Sequence, residues 1–152
     1  MKNAFLIFVF GLFLLSGTDS FAQKPIESQV QRDPVLEADA NHNLEVAQNY
    51  FRTRKAYRAV LLRFEETYAA YPEYSKIDEF VYIAGMSSYY LSDNKGKQKL
   101  DANATEDDKK KYDPAKLRED AIAYFNLIVE KFPQSKFKAD AEKMLKQLKP
   151  QN

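Results

Sequence analysis

The chain has 152 residues, of which 45% are hydrophobic, 14% aromatic and 30% charged, a composition typical of one globular domain. Lys and Arg number 23 against 22 Asp and Glu, so the net charge gives no reason to expect a nucleic acid or a membrane surface as partner. The chain has no Cys and only four Gly, which argues against disulfides, thiolate metal sites and phosphate-binding loops.

Residues 1–22 have the features of a secretory signal peptide. Lys2 precedes an apolar run over residues 4–15, and Ser-Phe-Ala directly before Gln23 matches a small-x-small cleavage site. The run is shorter than the about twenty residues that span a bilayer, so a membrane anchor is the weaker interpretation. The sequence predicts an exported, soluble mature chain without a transmembrane segment, beginning with a polar arm at residues 23–32.

Amphipathic helices are predicted for most of the mature chain. Asp33-Pro34 favours a helix start, because aspartate caps free N–H groups and proline fits the first helical position. Apolar side chains then recur at intervals of three and four, which is the helical period. Gly85 lies inside the third helix and indicates a place where two helices cross closely. The predicted helices cover about 34–54, 57–71, 76–91 and 117–132, with a last one after Pro133.

Residues 93–113 interrupt this pattern with many Lys, Asp and Glu and few apolar side chains. Their composition predicts a long solvated loop that is dispensable for folding. Asp101-x-Asn103 begins like a calcium-binding loop, but Glu106 replaces the turn glycine and Tyr112 replaces the bidentate glutamate. We therefore expect no calcium site in this segment.

Two segments of the chain repeat one another. When Pro72 and Pro133 are aligned, Phe64 aligns with Phe125. Both segments end at an aromatic-proline step, where the missing N–H of proline and its ring stop a helix. Helix pairs of this kind cannot bury their apolar faces alone and must stack on neighbours. The sequence therefore predicts an all-α solenoid. Local signals near residues 53–57 allow either a turn or one longer helix, and the repeat comparison favours the turn.

The spacing resembles that of tetratricopeptide (TPR) repeats. Val60, Phe64 and Pro72 stand where the second helix of a TPR has its small residue, its aromatic residue and its proline. Gly85 stands at the place of the first-helix glycine of the following unit. The resemblance implies a short TPR-type helical solenoid of about five helices, or two and a half repeats, and the ordinary TPR unit has about 34 residues.

A second motif is more specific. Pro133-x-Ser135-x-Phe137-x-x-x-Ala141 resembles the linkage of the exported TPR family typified by the outer-membrane assembly factor BamD. This linkage lengthens the unit from about 34 to about 37 residues. The two repeat prolines lie 61 residues apart, so about 24 further residues belong to the second unit, which is the size of the charged loop. The resemblance implies a TPR-like domain at 33–150 with an inserted loop at 93–113.

In TPR proteins the first helix of each unit lines the concave surface. Counting from the signature positions places several side chains of the first and third helices on that side, and their spacing keeps them on one helix face. Exposed Tyr and Met beside an Arg suit a peptide with an apolar anchor and a carboxylate. The alternative is that the N-terminal arm or the inserted loop covers the stripe on the third helix. The candidate residues for binding a peptide or a partner are Asn49, Arg52, Tyr82, Met86 and Tyr89.

The resemblance implies a non-catalytic interaction module in the periplasm or at the outer-membrane periphery. Such a module assists outer-membrane protein assembly by binding client segments or assembly components. A structural TPR adaptor of the cell envelope or of the division machinery is the alternative. An enzyme is the third choice, because His42, the only histidine, has no nucleophile or carboxylate at a suggestive spacing. No cofactor, no metal and no nucleic-acid partner are expected.

Overall fold

A computed structural model describes residues 32–98 and 103–148. The predicted signal peptide and all but the last residue of the predicted polar arm lie outside the described residues. The described residues form six α-helices and no strand, which confirms the predicted all-α fold. The helices are α1 (Pro34–Asn49), α2 (Tyr57–Ala70), α3 (Ile77–Ser92), α4 (Glu106–Lys111), α5 (Pro114–Lys131) and α6 (Lys138–Leu148).

Helix α1 begins as the local sequence predicts and is followed by the turn that the repeat comparison favours. The Asp33 carboxylate accepts hydrogen bonds from the backbone N–H groups of Val35 at 2.8 Å and Leu36 at 3.4 Å, which satisfies two of the free donors at the helix start. After α1 the backbone widens into a π-helical turn, Tyr50–Arg54, and then reverses at Lys55, which has a left-handed φ of 51°. The turn between the first two helices is therefore confirmed.

The helices stack in chain order. Helix α1 packs on α2, α2 on α3, α3 most extensively on α5, and α5 on α6. Helix α4 makes only a small contact with α5. Leaving α4 aside, each helix is packed against the one before it, which is the arrangement of a short TPR-like solenoid.

The predicted alignment of the two repeated segments is present in the core. Phe64 and Phe125 are 3% and 0% exposed, and the aligned residues Val60 and Ala121 are both 0% exposed. Each aromatic ring therefore occupies the same place in its own helix pair, facing inward from the second helix. Burial of these large rings supplies much of the hydrophobic free energy that holds the pairs together.

Equivalent hydrogen bonds also join successive helix pairs. The hydroxyl of Tyr74, two residues after the first repeat proline, donates to Asn41 Oδ1 at 2.9 Å. The hydroxyl of Ser135, two residues after the second, donates to Asp78 Oδ2 at 2.6 Å. Asn41 and Asp78 are 37 residues apart, the unit length of about 37 that the resemblance implied. We call these two hydrogen bonds the junction staples.

Gly85 lies where α3 packs directly against the Phe125 ring of α5, which agrees with the predicted helix crossing. A Cβ atom at this position would lie 2.9 Å from Cε1 of Phe125, which is closer than carbon atoms normally pack. The absence of a side chain at Gly85 therefore allows the two helices to cross at short range.

Gly85→Ala is expected to lower the melting temperature, although alanine favours a helix by about 1 kcal/mol relative to glycine. The Phe125 ring is completely buried and has little room to move, and overpacking of a core costs about 1–3 kcal/mol. Thermal unfolding followed by circular dichroism measures the change. A higher melting temperature would show that the crossing has room for a methyl group.

The inserted segment forms a helix that the sequence did not predict. Thr105 accepts a hydrogen bond from the backbone N–H of Asp108 at 3.1 Å, which caps the start of α4. The first turn of α4 is acidic and its last turn consists of lysines, an order that complements the helix dipole. The described residues thus contain six helices instead of about five because local charge order favours this extra one.

Both ends of the insert contact α2 and the turn before it. The backbone N–H of Lys97 donates to the carbonyl of Lys55 at 3.1 Å. The side-chain oxygen of Gln98 accepts from the backbone N–H of Ala59 at 3.1 Å, an N–H in the first turn of α2 that also donates to the carbonyl of Ala56 at 3.0 Å. The described beginning of the insert is therefore attached to the first helix pair.

The end of the insert is held by a buried ring and an ion pair. Tyr112 is 7% exposed, and the Arg58 guanidinium lies 4.3 Å from its ring centroid. Lys111 pairs with Glu65 at 2.6 Å. The described residues of the segment are mostly exposed, as a solvated loop requires. The prediction did not foresee α4 or the contacts that α2 makes with Lys111 and Tyr112.

Candidate functional site

Side-chain contacts link α1, α3 and the turn before α6, and we call the surface that these elements form the groove face. Glu79 on α3 links them, since its carboxylate accepts a hydrogen bond from Gln48 of α1 at 2.7 Å. The same carboxylate forms an ion pair with Lys136, just before α6, at 3.4 Å. One partly buried carboxylate thus joins three successive elements of the groove face.

The predicted site residues divide into two groups. Asn49 and Arg52 are exposed at the end of α1 and in the turn after it, whereas Tyr82, Met86 and Tyr89 are half-buried along α3. All three α3 side chains pack against the hydrophobic core. The structure therefore offers less open apolar surface here than the sequence led us to expect.

Tyr82 is held between two units. Its ring stacks on Phe137 with centroids 4.7 Å apart and an interplanar angle of 17°, and it lies 6.1 Å from the ring of Phe125. Burial raises the pKa of the Tyr82 hydroxyl, and the charges of Asp140 and Tyr90 raise it further. Tyr82 therefore remains a neutral hydroxyl donor at physiological pH and forms a fixed wall of the groove face.

Tyr89 marks the other end of α3. Its ring lies 5.6 Å from that of Tyr90, and the ammonium of Lys95 is 5.4 Å from its centroid. A hydrogen bond from Lys95 to Asp93 raises the pKa of this lysine, while desolvation opposes the shift. The groove face thus ends at the rings of Tyr89 and Tyr90, and the charged ammonium of Lys95 lies over them.

Phe137, Lys136 and Lys95 contribute to the groove face but were not predicted as site residues. Phe137 could have been identified, since it is the aromatic position of the linkage motif that the sequence analysis describes. For the two lysines the sequence carries no comparable signal. Their positions depend on a turn and on an insert that are placed only by the packed structure.

The chain's only histidine lies at the surface of the first helix. His42 is exposed on α1, and the described residues contain no cluster of three or more His, Cys, Asp or Glu that could hold a metal ion. The first residue of the calcium-like pattern, Asp101, lies outside the described residues.

A separate cleft of about 400 Å³ lies where the insert meets α2, α3 and α5. It is lined by polar and apolar side chains, including those of Lys95, Gln98 and Tyr112. Gln98 and Tyr112 there are engaged in holding the insert. The cleft is therefore part of the attachment of the insert.

Residues 68–151 match the model of the YfiO family, described as outer membrane lipoprotein. The match covers more than half of the chain and includes α3, α5, α6 and the insert. Comparison with curated proteins and with solved structures gives no match. Among the described residues, none of the helices combines the length and the apolar character needed to cross a membrane. The chain therefore belongs to the YfiO family, the BamD-like TPR family indicated by its repeat prolines and its linkage motif.

Proposed function

We propose that this chain is an exported, non-catalytic interaction module of the cell envelope. It binds extended segments of client or partner proteins on its groove face and in this way assists outer-membrane protein assembly. The observation that carries the proposal is the wall of half-buried side chains that Tyr82, Met86 and Tyr89 form along α3, with Phe137 stacked on Tyr82.

The wall has the chemistry of a peptide site. Half-buried tyrosines present large, rigid surfaces that lose little conformational entropy on binding. Met86 adds a flexible apolar contact that adapts to different side chains. Asn49 and Arg52 are exposed and offer hydrogen bonds to a peptide backbone or a carboxylate. The combination suits a ligand with an apolar anchor and an acidic group.

The family match supports the cellular setting of the proposal. The matched family is described as outer membrane lipoprotein, which agrees with an envelope location and with protein partners. The predicted signal peptide at residues 1–22 supports export. In this proposal two and a half repeats are enough to bind a short segment, because Phe137 of the next unit stacks on Tyr82 and holds that ring in place.

Tyr89→Ala is expected to weaken binding of client peptides by roughly tenfold, since an aromatic anchor at an interface contributes more than about 1 kcal/mol. Arg52→Ala should weaken it less unless the ligand carries a carboxylate. Fluorescence anisotropy with labelled peptides from barrel proteins measures both effects.

Tyr68→Ala is the matched control, because Tyr68 is 40% exposed and contacts Phe64 on the second helix of its unit, away from the groove face. It should bind peptides like the wild type. Equal affinity of wild type and Tyr89→Ala would contradict the groove assignment. Recovery of peptidoglycan or division proteins, without assembly components, from an envelope fraction would favour the structural adaptor instead.

A further inference from the structure

Two turns that are distant in sequence bring five cationic side chains to one end of the helix stack. The turn after α1 carries three of them and no acidic residue, and the turn after α3 carries two together with Asp93. All five are exposed. We call this set the basic edge, which consists of Arg52, Arg54, Lys55, Lys95 and Lys97.

Specific contacts hold the two turns together. The backbone N–H of Lys97 donates to the carbonyl of Lys55 at 3.1 Å. The Tyr90 ring, just before the second turn, stacks on Phe51 of the first turn at 5.9 Å. The Cα of Gly96, with a φ of 107°, lies so close to the Tyr57 ring that a Cβ would be 2.8 Å from Cδ2. The basic edge is therefore a fixed surface.

The helix ends do not cancel its positive charge. Helices α1 and α3 end at this edge and α2 begins there, so the helix dipoles leave only about half a negative charge, which is small beside five cations. Within the two turns Asp93 is the one described carboxylate, and it pairs with Lys95 at 3.1 Å. The formal net charge of the whole chain is +1, so this edge is much more positive than the molecule on average.

Tyrosine rings lie among the cations. The Arg54 guanidinium is 5.7 Å from the Tyr50 centroid, and the Lys95 ammonium is 5.4 Å and 5.5 Å from the centroids of Tyr89 and Tyr90. All three rings are half-buried, so they present an apolar body and a polar hydroxyl at the surface. Basic side chains next to amphipathic aromatic rings are the combination that proteins use at the headgroup level of a bilayer.

We propose that the basic edge binds the surface of membranes that contain anionic phospholipids. The cations attract the phosphate headgroups, and the tyrosine hydroxyls lie at the level of the headgroups. A single-stranded nucleic acid fits less well, because stacking of bases needs open ring faces and cations already lie over these rings. The binding places the opposite end of the groove face away from the membrane.

The test is cosedimentation of the exported protein with lipid vesicles. Vesicles of phosphatidylglycerol and phosphatidylcholine in equal parts should bind the protein, and added salt should release it. The variant Arg54→Gln/Lys95→Gln/Lys97→Gln should bind on the order of a hundredfold more weakly, since each cation near an anionic surface contributes about fivefold. Its circular dichroism should match that of the wild type.

The matched control removes an equal number of positive charges from outside the basic edge, at the exposed residues Lys110, Lys131 and Lys146. Lys110→Gln/Lys131→Gln/Lys146→Gln should still bind the vesicles. The proposal is overturned if both triple variants lose equal affinity, or if pure phosphatidylcholine vesicles bind the protein as well as anionic ones. Binding of polyglutamate or of a DNA oligonucleotide in place of vesicles, lost in the first variant alone, would assign the edge to another polyanion.

Discussion

Phe125→Ala is expected to lower the free energy of unfolding by about 3–5 kcal/mol, the usual cost of truncating a fully buried aromatic residue. The ring is 0% exposed, it fills the close crossing at Gly85, and it contacts the Tyr82 ring of the groove face. Because a small domain has only about 5–15 kcal/mol of stability, this one change should bring the protein close to unfolding. Urea denaturation followed by circular dichroism measures it.

Two further variants control this experiment. Phe64→Ala should have an effect of similar size, since Phe64 is 3% exposed and packs edge-on against the rings of Phe80 and Tyr124. Tyr68→Ala should cost far less, because Tyr68 is 40% exposed. If neither phenylalanine variant changes the unfolding midpoint, the alignment of the two repeated segments does not describe the core.

The second large effect is expected at the end of the insert. Tyr112→Ala should lower the free energy of unfolding by about 3 kcal/mol, through lost burial of the ring and loss of its cation–π contact. Tyr112 is 7% exposed and lies under Arg58. Limited proteolysis gives a second measurement, because a released insert should be cut faster than the attached one.

Lys110→Ala is the control for Tyr112→Ala, since Lys110 is exposed on α4 and its truncation should leave stability almost unchanged. If Tyr112→Ala is equally neutral and protease cuts the wild-type insert first, the solvated loop predicted from composition is the better description. A loss of stability with faster cleavage in the variant alone supports the attached insert.

The helices could be predicted because their signals are local. Asp33 caps α1 through atoms two and three residues away, and each aromatic-proline step stops a helix by its own backbone chemistry. Gly85 was predictable as a crossing point because a glycine inside a helix is unfavourable unless close packing requires it. The repeated spacing then fixed which helices stack, without knowledge of any side-chain contact.

The insert and the basic edge depend on distant partners and were not predictable in this way. Lys111 pairs with Glu65, which is 46 residues away, and no local pattern connects them. The net charge is a sum over the whole chain, in which acidic residues elsewhere cancel the cations of the two turns. It therefore cannot show that positive charge is concentrated at the basic edge. Counting along the repeats gave the candidate groove positions, but it could not give the burial of Tyr82, since the Phe137 ring that covers it comes from the next unit.

The junction staples have a consequence for how relatedness is detected. The family match begins at residue 68, inside α2. The matched residues therefore do not include α1 or most of α2. The repeated hydrogen bonding extends into α1, outside the matched residues. Asn41 of α1 accepts a hydrogen bond from the Tyr74 hydroxyl, just as Asp78 accepts one from the Ser135 hydroxyl. The two pairs share no residue type, yet each sets an oxygen acceptor on a first helix against a hydroxyl two residues past a proline. A comparison by residue type does not include α1 in the match. A search for an oxygen acceptor on a first helix and a hydroxyl group two residues after a proline would include it.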